Sequence, residues 1–288
     1  MQASQRTRYV ERIERAIALL ERSAGAGEPP ALTDLAAAAA MSDYHFHRIF
    51  RVMTGETVGA AITRVRLGGS LPMLDESIGA AAGHSGYATG QAYARALKMA
   101  TGTTASDLRD DRHRRDDAAA SLAGPATGTT EPAPPLTISI TSFAPLRLTA
   151  LRNIGDYTEL NAGFGSLFEL LMAQITPEEV TGLYGIPHDD PRDIPGKDCR
   201  FDCAVTTMSA IAPDGGIATI DLPGGLALCM SHAGDYDLIH ARIDTLYAEA
   251  VAADLPIGDA PLTIHYHDDP DEVAPVDLRA AIYLPLRA

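Results

Sequence analysis

Aromatic side chains in the C-terminal half of the chain are the first candidates for a functional site. Tyrosine and phenylalanine present flat faces that bind rings and cations, at about 0.5–2 kcal/mol for a cation over one face. The candidates for a ligand site are Tyr157, Phe168, Tyr184, Tyr236, Tyr247, Tyr266 and Tyr283, with Asp202 as an acidic member. Any one of these aromatics could be a core residue. As a group near strand ends and helix starts, they favour a site for a small aromatic or cationic compound.

A repeated pattern indicates which elements position these residues. Three landmarks occur twice with the same separation of 79 residues: Gly-Asp-Tyr at 155–157 and 234–236, His-Asp-Asp-Pro at 188–191 and 267–270, and an arginine opening an alternating apolar run, Arg200 and Arg279. A common separation for three landmarks indicates two copies of one unit. The seam between two such copies is a natural place for a ligand.

Periodicity predicts the elements of each unit. Alternating apolar residues predict strands, and apolar residues at helical spacing after each Gly-Asp-Tyr predict helices. Each unit is expected to contain a strand, a helix and two further strands in an α+β domain, at about 136–208 and 215–288. A strand at the very start of the first unit is additional, and residues 216–234 predict one long strand in the second.

The two His-Asp-Asp-Pro turns carry side chains that metals prefer. Asp-Asp-Pro is also a favourable turn sequence, because proline fixes the backbone, so we expect no metal site. The sequence has no P-loop, no dinucleotide fingerprint, no zinc-protease motif and no paired Cys-x-x-Cys. We therefore predict no cofactor and assign no catalytic residue.

The N-terminal region predicts helices only. Apolar residues recur at helical spacing from Val10 to Leu20 within residues 5–22. A short helix over 33–40, a tight turn and a helix over 43–53 then form a helix-turn-helix pattern. Phosphates and base edges suit the histidines and arginines expected on the exposed side of the last helix. A solvated helix face is the alternative.

The net charge of −15 is unevenly distributed. Residues 1–120 carry 15 basic and 14 acidic residues, whereas residues 121–288 carry 8 and 24. An acidic domain repels nucleic acid and attracts cations, although solubility alone explains such a charge equally well. The near-neutral N-terminal region is weakly charged for a DNA-binding module, which usually has a basic face.

The composition is that of an ordinary globular protein, with 46% hydrophobic and 21% charged residues. No run of about 18 apolar residues occurs, so we expect no membrane span. Cys199 and Cys203 lie four positions apart on a predicted strand, too far for a disulfide. A reduced, cytoplasmic protein is the simplest interpretation.

Residues 32–67 and 85–109 resemble the two helix-turn-helix units of AraC-type transcriptional regulators. The matching elements are HFHRIF, GYATGQAYARA, a turn containing Thr-Gly and a closing Leu-Arg. The resemblance implies a double helix-turn-helix domain over 1–112 that binds double-stranded DNA. The DNA-contacting residues it implies are His45, His47, Arg48, Arg51, Arg64, Thr89, Gln91, Tyr93 and Arg95, with Arg64 contacting the backbone.

The helix expected to join the two units departs from that family pattern. Gly68 and Gly69 each cost a helix interior about 1 kcal/mol, and Pro72 costs about 3 kcal/mol. The segment also looks about three residues short, which would rotate one reading helix against the other by nearly a full turn. Either the second unit binds DNA differently, or DNA binding has been lost.

Residues 136–288 resemble the GyrI-like, or duplicated SHS2, small-molecule-binding domain. The two Gly-Asp-Tyr helix starts, the two His-Asp-Asp-Pro turns and the two arginine-led strands carry the resemblance. It implies that a bulky, often cationic and aromatic compound binds between the repeats. The acidic residue usual two positions after the strand arginine is Asp202 in the first repeat but Ala281 in the second. That departure weakens both a cation site and a hydrolase.

Taken together, these patterns predict two domains joined by a linker over 113–135. The N-terminal domain is an all-α double helix-turn-helix, and the C-terminal domain is α+β and made of two strand-helix-strand-strand repeats. We expect a transcriptional regulator that binds DNA and a small-molecule effector, with a homodimer left open. The alternatives are a protein that sequesters or hydrolyses toxins or drugs, with a decayed DNA-binding domain, and a modulator of gyrase.

Overall fold

A computed structural model of the chain describes residues 4–23, 29–125 and 137–287. Two compact units are distinguished, one over 7–130 and one over 131–288 together with residues 1–6. In the described ranges, no helix is both long enough and apolar enough to cross a membrane. The predicted fold class, an all-α N-terminal part followed by an α+β part, is confirmed.

The N-terminal unit is helical throughout its described elements. These are α1 (Gln5–Ser23), α2 (Leu32–Ala38), α3 (Asp43–Thr54), α4 (Val58–Ser70), a 3-10 helix (Leu71–Asp75), α5 (Ile78–His84), α6 (Gly90–Thr101), α7 (Ala105–Asp110) and α8 (Arg112–Leu122). The pairs α2–α3 and α5–α6 are the two helix-turn-helix units. Helices α4 to α7 each begin after a serine or threonine whose side-chain oxygen accepts a backbone N–H of the first turn.

The joining helix is less disrupted than its glycines and proline predict. Helix α4 continues through Gly68 and Gly69 and ends at Ser70, where the chain tightens into the 3-10 helix. Pro72 lies in the first turn of that 3-10 helix, where a missing N–H costs little. Burial of Leu67, Leu71 and Leu74 holds this segment in place despite the low helix propensity of glycine.

The first part of the predicted linker is helix α8 instead. Ala118 and Leu122 of α8 are buried in the same core as Tyr93 and Leu97 of α6. Arg115 of α8 donates hydrogen bonds to the carbonyl oxygens of Leu108 (2.9 Å) and Arg109 (2.8 Å). Two small apolar side chains and one arginine thus hold this polar helix in place. Its composition alone predicts an unstructured linker. Residues 126–135 of the predicted linker lie outside the described residues.

The C-terminal unit is built on one antiparallel sheet. Within residues 137–287 its strands are β1 (Thr137–Phe143), β2 (Leu146–Ile154), β3 (Val180–Pro187), β4 (Arg200–Thr207), β5 (Ile217–Leu222), β6 (Gly225–Ala233), β7 (Thr263–Tyr266) and β8 (Arg279–Pro285). The strand order is β1-β6-β8-β7-β3-β4-β2-β5. Helices α9 (Leu160–Leu171) and α10 (Ile239–Ala252) follow β2 and β6, and short 3-10 helices begin at Tyr157, Pro177, Gly196, Tyr236 and Pro275.

The two repeats exchange their first strands. Strand β1 of the first repeat pairs with β6 of the second, and β5 of the second pairs with β2 of the first. The seam between the repeats is the pairing of β3 with β7, where Tyr184 lies opposite His265. The single strand expected over 216–234 is two strands, β5 and β6, because Pro223 and Gly224 interrupt it.

Short connections force this sheet to curve. Strands β1 and β2 are six positions apart in the strand order, which in a flat sheet separates them by about 29 Å. Only Ala144 and Pro145 join them, and three residue steps span at most about 11 Å. Strands β5 and β6 are likewise joined by only Pro223 and Gly224. The two edges of the sheet are therefore drawn together at one end.

The two connections touch at Gly224, which yields a test of this curvature. A methyl group added to Gly224 would lie 2.7 Å from the backbone nitrogen of Pro145 and 2.6 Å from its ring. We expect Gly224→Ala to lower the free energy of unfolding by about 1–3 kcal/mol, because the connections must move apart. Urea denaturation followed by circular dichroism measures the change.

Gly165→Ala is the matched control for that variant. Gly165 lies in α9, where an added methyl group meets no atom within 4 Å. Alanine there should leave stability unchanged or raise it by about 0.5–1 kcal/mol, the usual gain over glycine in a helix. Equal stability of Gly224→Ala and the parent protein would contradict the close contact.

Candidate functional site

In each repeat the three landmarks form one hydrogen-bonded cluster of a tyrosine, an aspartate and an arginine, here called the lock. In the second repeat, the hydroxyl of Tyr236 lies 3.0 Å from the carbonyl oxygen of Asp268 and 2.8 Å from that of Arg279. The Asp268 carboxylate accepts the Arg279 backbone N–H (2.8 Å) and two guanidinium hydrogen bonds (2.7 and 2.9 Å). Those hydrogen bonds from Arg279 lower the pKa of Asp268.

The first repeat has the same lock at nearly the same distances. Asp189 accepts the backbone N–H of Arg200 (2.8 Å) and its guanidinium (2.7 and 2.9 Å), and the Tyr157 hydroxyl lies 2.7 Å from the Arg200 carbonyl oxygen. Asp190 and Asp269, the second acids of the two turns, accept backbone N–H groups two residues later. The repeated acids are thus used in turns and ion pairs, as the turn interpretation of Asp-Asp-Pro requires.

The sheet has two distinct faces. A methyl group added to Gly163 of α9 would lie 2.9 Å from the sulfur of Cys203, so Cys203 belongs to the helix-covered face. Directly opposed residues of antiparallel strands share a face. Ala204, Tyr184, His265 and Ala281 are linked by such pairing and lie on the other face, here called the open face.

The open face contains a cavity of about 140 Å³, here called the aromatic cavity. Its walls are Phe143, Ala144, Leu146, Tyr184, Leu222, Pro223, Ala260, Pro261, Thr263, His265, Tyr283 and Pro285. The wall thus includes both short connections that draw the sheet edges together. It also includes residues on both sides of the β3–β7 seam.

Ring contacts organise the aromatic cavity. The rings of Tyr184 and His265 stack across the seam, with centroids 4.4 Å apart and planes 11° apart. The rings of Phe143 and Tyr283 lie 6.1 Å apart in a tilted arrangement. Burial raises the pKa of both tyrosines. The site therefore offers flat apolar faces with hydroxyl and imidazole groups between them, which suits a small ring with a polar substituent.

Asp202 lies on the open face but is held by other side chains. It forms an ion pair with Arg152, whose guanidinium also lies 3.1 Å from its second oxygen, and the His188 ring is 2.7 Å away. Burial raises the pKa of Asp202, but hydrogen bonds from His188 and Arg152 outweigh it and hold the pKa below its usual value. Asp202 is thus an ionised acid already neutralised by its neighbours.

The predicted ligand residues divide into two groups. Tyr184 and Tyr283 line the aromatic cavity. Six lie elsewhere: Tyr157 and Tyr236 in the two locks, Asp202 in its ion pair, Tyr247 buried in α10, Phe168 on α9 and Tyr266 on the helix-covered face against Phe164 of α9. Sequence reasoning missed Phe143, Thr263 and His265. The alternation of side chains along β7 places Thr263 and His265 on the face opposite to Tyr266, which is the face that Tyr184 and Tyr283 share.

The predicted DNA-contacting residues are also placed differently. Gln91 and Arg95 are exposed one turn apart on α6, and Thr89 is the N-cap of α6. Tyr93 is a core residue instead, fully buried with its hydroxyl 3.0 Å from Ser70, because its position on α6 faces Leu97 and Leu67. These positions make Gln91 and Arg95 the accessible part of the second reading helix.

Arg64 forms an ion pair and a hydrogen bond to the backbone, and the predicted residues of α3 are buried or half-buried. The Arg64 guanidinium pairs with Glu56 (2.7 Å) and donates to the Leu122 carbonyl oxygen (2.9 Å), so it holds the end of α8. His45, His47 and Arg48 are only 2–3% exposed and Arg51 is half-buried. These four side chains are therefore not presented to solvent as the helix periodicity predicts, and their contact with DNA stays a prediction.

One chain thus combines two helix-turn-helix units with a duplicated, curved sheet that has a cavity at the seam of its repeats. Residues 136–287 match the GyrI-like small molecule binding domain, over more than half of the chain, and the chain belongs to that family. Residues 35–111 match a helix-turn-helix domain, in agreement with the AraC-type resemblance. The N-terminal half is thus a DNA-binding domain and the C-terminal half a small-molecule-binding domain.

Solved structures with similar folds cover about half of the chain. They include EcmrR in a complex with DNA (14% identity, 53% of this chain and 57% of that chain, TM-score 0.45) and the EcmrR C-terminal domain (14%, 53% and 98%, TM-score 0.43). An uncharacterized conserved protein from Listeria innocua is also similar (12%, 54% and 94%, TM-score 0.42). The matched region spans little more than half the length of EcmrR in the DNA complex.

The His265 imidazole predicts a pH dependence of stability. Burial lowers the pKa of His265 below its usual value of 6.5, and the neighbouring His267 lowers it further. The unfolded chain therefore binds more protons than the folded one as the pH falls below about 6.5, and the free energy of unfolding decreases between about pH 7 and pH 5. Urea denaturation across this range should show a shallower slope for His265→Asn than for the parent protein.

His113→Asn is the control for that measurement. His113 lies at an exposed position of α8, and its replacement should leave the slope unchanged. Identical slopes for His265→Asn and the parent protein would show that His265 titrates alike in the folded and unfolded chain.

Proposed function

We propose that this protein is a cytoplasmic transcriptional regulator whose DNA binding responds to a small aromatic effector held in the aromatic cavity. The observation that carries the proposal is the presence, in one chain, of a helix-turn-helix domain and an aromatic-walled cavity at the seam of a GyrI-like domain. Binding energy at the cavity can change DNA affinity only by as much as the effector distinguishes two states of the protein.

Helix α6 supports the DNA-binding part of the proposal. The first turns of α6 present Gln91 and Arg95 to solvent, and amide and guanidinium groups read base edges in a major groove. The core beneath them is complete, since Tyr93 and Leu97 are buried with Leu67 and Leu108. Such a core supports a folded second unit, which DNA binding through α6 requires.

The raised pKa values of the cysteines do not favour the alternative function, a hydrolase. Burial raises the pKa of Cys203 to about 12 and that of Cys199 to about 11, with nearby acids adding to the effect. Burial also raises the pKa of Cys229. Thiols with raised pKa values are poor nucleophiles at neutral pH. Sequestration of a toxic compound would use the same aromatic cavity but would not require DNA binding.

Exchange of one exposed arginine tests the DNA-binding surface. Arg95→Ala should weaken binding to the protein's own promoter DNA and lower the dependence of log affinity on log salt by about 1, as expected for one lost phosphate contact, or cost about 1–3 kcal/mol at one base position if Arg95 reads a base. Fluorescence anisotropy at several salt concentrations distinguishes these outcomes. Unchanged affinity and unchanged salt dependence would remove α6 from the interface.

Tyr93→Phe separates the interface from the core. Loss of the hydroxyl that contacts Ser70 should lower the free energy of unfolding by about 0.5–1.5 kcal/mol. DNA affinity at a temperature where the variant is folded should equal that of the parent protein. A selective loss of DNA affinity without loss of stability would return Tyr93 to the DNA-contacting residues.

A bulky substitution in the cavity wall tests the effector site. Ala260→Phe places a ring in a space of about 140 Å³, so aromatic compounds that raise the melting temperature of the parent protein should lose this effect. Ala252→Phe, at an exposed position near the end of α10, is the control and should retain it. A stabilising compound that also alters DNA binding, and that Ala260→Phe leaves unaffected, would place the effector elsewhere.

A further inference from the structure

The volume and the wall residues of the aromatic cavity indicate the size and the charge of its ligand. Resting on the proposed function, we infer that the effector is an uncharged, single-ring aromatic compound and that the cavity discriminates against positive charge. This selectivity differs from the cationic ligand that the overall acidity of the domain suggests.

The volume of the cavity fits a ligand with one ring. Drug-sized ligands occupy pockets of about 300–1,000 Å³, whereas an apolar cavity of about 150 Å³ in another protein binds benzene. The aromatic cavity measures about 140 Å³. A compound with several rings would extend beyond this volume, because the wall is closed on one side by Ala144 and Pro223 of the two short connections.

The wall of the cavity has no negative charge to receive a cation. Among the described residues that form it, none is acidic. An ammonium group entering this wall would lose its hydration, and the attraction of a tyrosine or phenylalanine face does not replace that hydration in full. A positive ligand therefore binds here at a disadvantage to a neutral ligand of the same shape.

The acid of β4 on the open face is already neutralised. Asp202 lies two residues along β4 from Ala204, the strand partner of Tyr184, which is about 7 Å. Both of its carboxylate oxygens are held, by Arg152 and by His188. A cation approaching Asp202 would also approach the Arg152 guanidinium, so the pair offers no net attraction.

Comparison of the repeats shows that the cavity side has no such acid. At the 79-residue separation, Asp202 corresponds to Ala281 and Arg152 corresponds to Ser231. Ala281 and Ser231 lie opposite each other on β8 and β6, and Ala281 also lies opposite His265. At these two positions the half of the open face that carries Tyr283 and His265 therefore has small uncharged side chains, whereas the other half has an ion pair.

Polar groups in the wall favour a neutral ligand with a hydroxyl or similar substituent. The Thr263 hydroxyl and the His265 imidazole lie on one strand in the wall. A neutral imidazole can donate one hydrogen bond and accept another. Burial favours the neutral form of His265, as its lowered pKa indicates. A phenol or a benzylic alcohol could satisfy these groups without bringing a charge into the cavity.

Three probes of nearly equal shape test the inference on the full chain. Benzyl alcohol is neutral at neutral pH, benzylammonium is positive and benzoate is negative. Isothermal titration or ligand-observed NMR should show the tightest binding for benzyl alcohol, with at least tenfold weaker binding of benzylammonium and of benzoate. Ala260→Phe should abolish binding of benzyl alcohol, which identifies the site.

One substitution should reverse the preference. Ala281→Asp adds a carboxylate next to His265 without the arginine that neutralises Asp202. We expect benzylammonium to bind at least tenfold more tightly to Ala281→Asp than to the parent protein. Ala281→Asn, of nearly the same shape, should show no such gain. The comparison among the three probes on the parent protein decides the inference even if Ala281→Asp does not fold.

The outcomes separate this inference from the proposed function. Equal or tighter binding of benzylammonium or benzoate to the parent protein overturns the charge selectivity. Absence of binding by all three probes at millimolar concentration overturns the single-ring assignment. In either case the proposed function stands if another small molecule alters DNA binding through a site sensitive to Ala260→Phe, and it falls if the full chain does not bind its promoter DNA at low salt.

Discussion

The C-terminal half depends on a hydrogen-bonded lock used twice. In each repeat one tyrosine hydroxyl binds two backbone carbonyl groups, and one aspartate holds both the backbone and the guanidinium of the arginine that opens the last strand. The lock ties a helix start, a turn and a strand together. With these elements fixed, curvature of the sheet brings Phe143 and Leu222 from opposite edges to one cavity.

The sequence predicts the two repeats, but it does not predict the roles of the repeated residues. The separation of 79 residues located every element of the lock, and the fold class followed from it. An aromatic ring in a repeated motif predicts that Tyr157 and Tyr236 contact a ligand. Their hydroxyls instead satisfy backbone groups, a role that depends on atoms far away in sequence. Phe143 and Leu146 were unrecognisable because their position depends on an exchange of strands that local periodicity cannot encode.

The helical half shows a similar division. Serine and threonine caps and apolar spacing predict several of its helices, whereas the glycines and proline of the joining segment predict a break that the burial of three leucines prevents. Helix α8 was missed because a segment rich in charge and alanine has no strong periodicity, and Ala118 and Leu122 are too few to reveal an amphipathic stripe. The misplacement of Tyr93 has another origin. A tyrosine near a reading surface is compatible with DNA contact and with a core hydrogen bond, and only packing against Ser70 decides.

The exchange of first strands between repeats has a consequence for the assembly of the domain. A single repeat on its own would leave β2 without β5, so its sheet edge would remain unpaired where the complete domain has a strand. Because both repeats lie in one chain, each obtains its outer strand from the other without a second molecule. One chain also lets the two halves differ, since Asp202 corresponds to Ala281 and Ala204 to Tyr283, so that one half carries an ion pair and the other a ring.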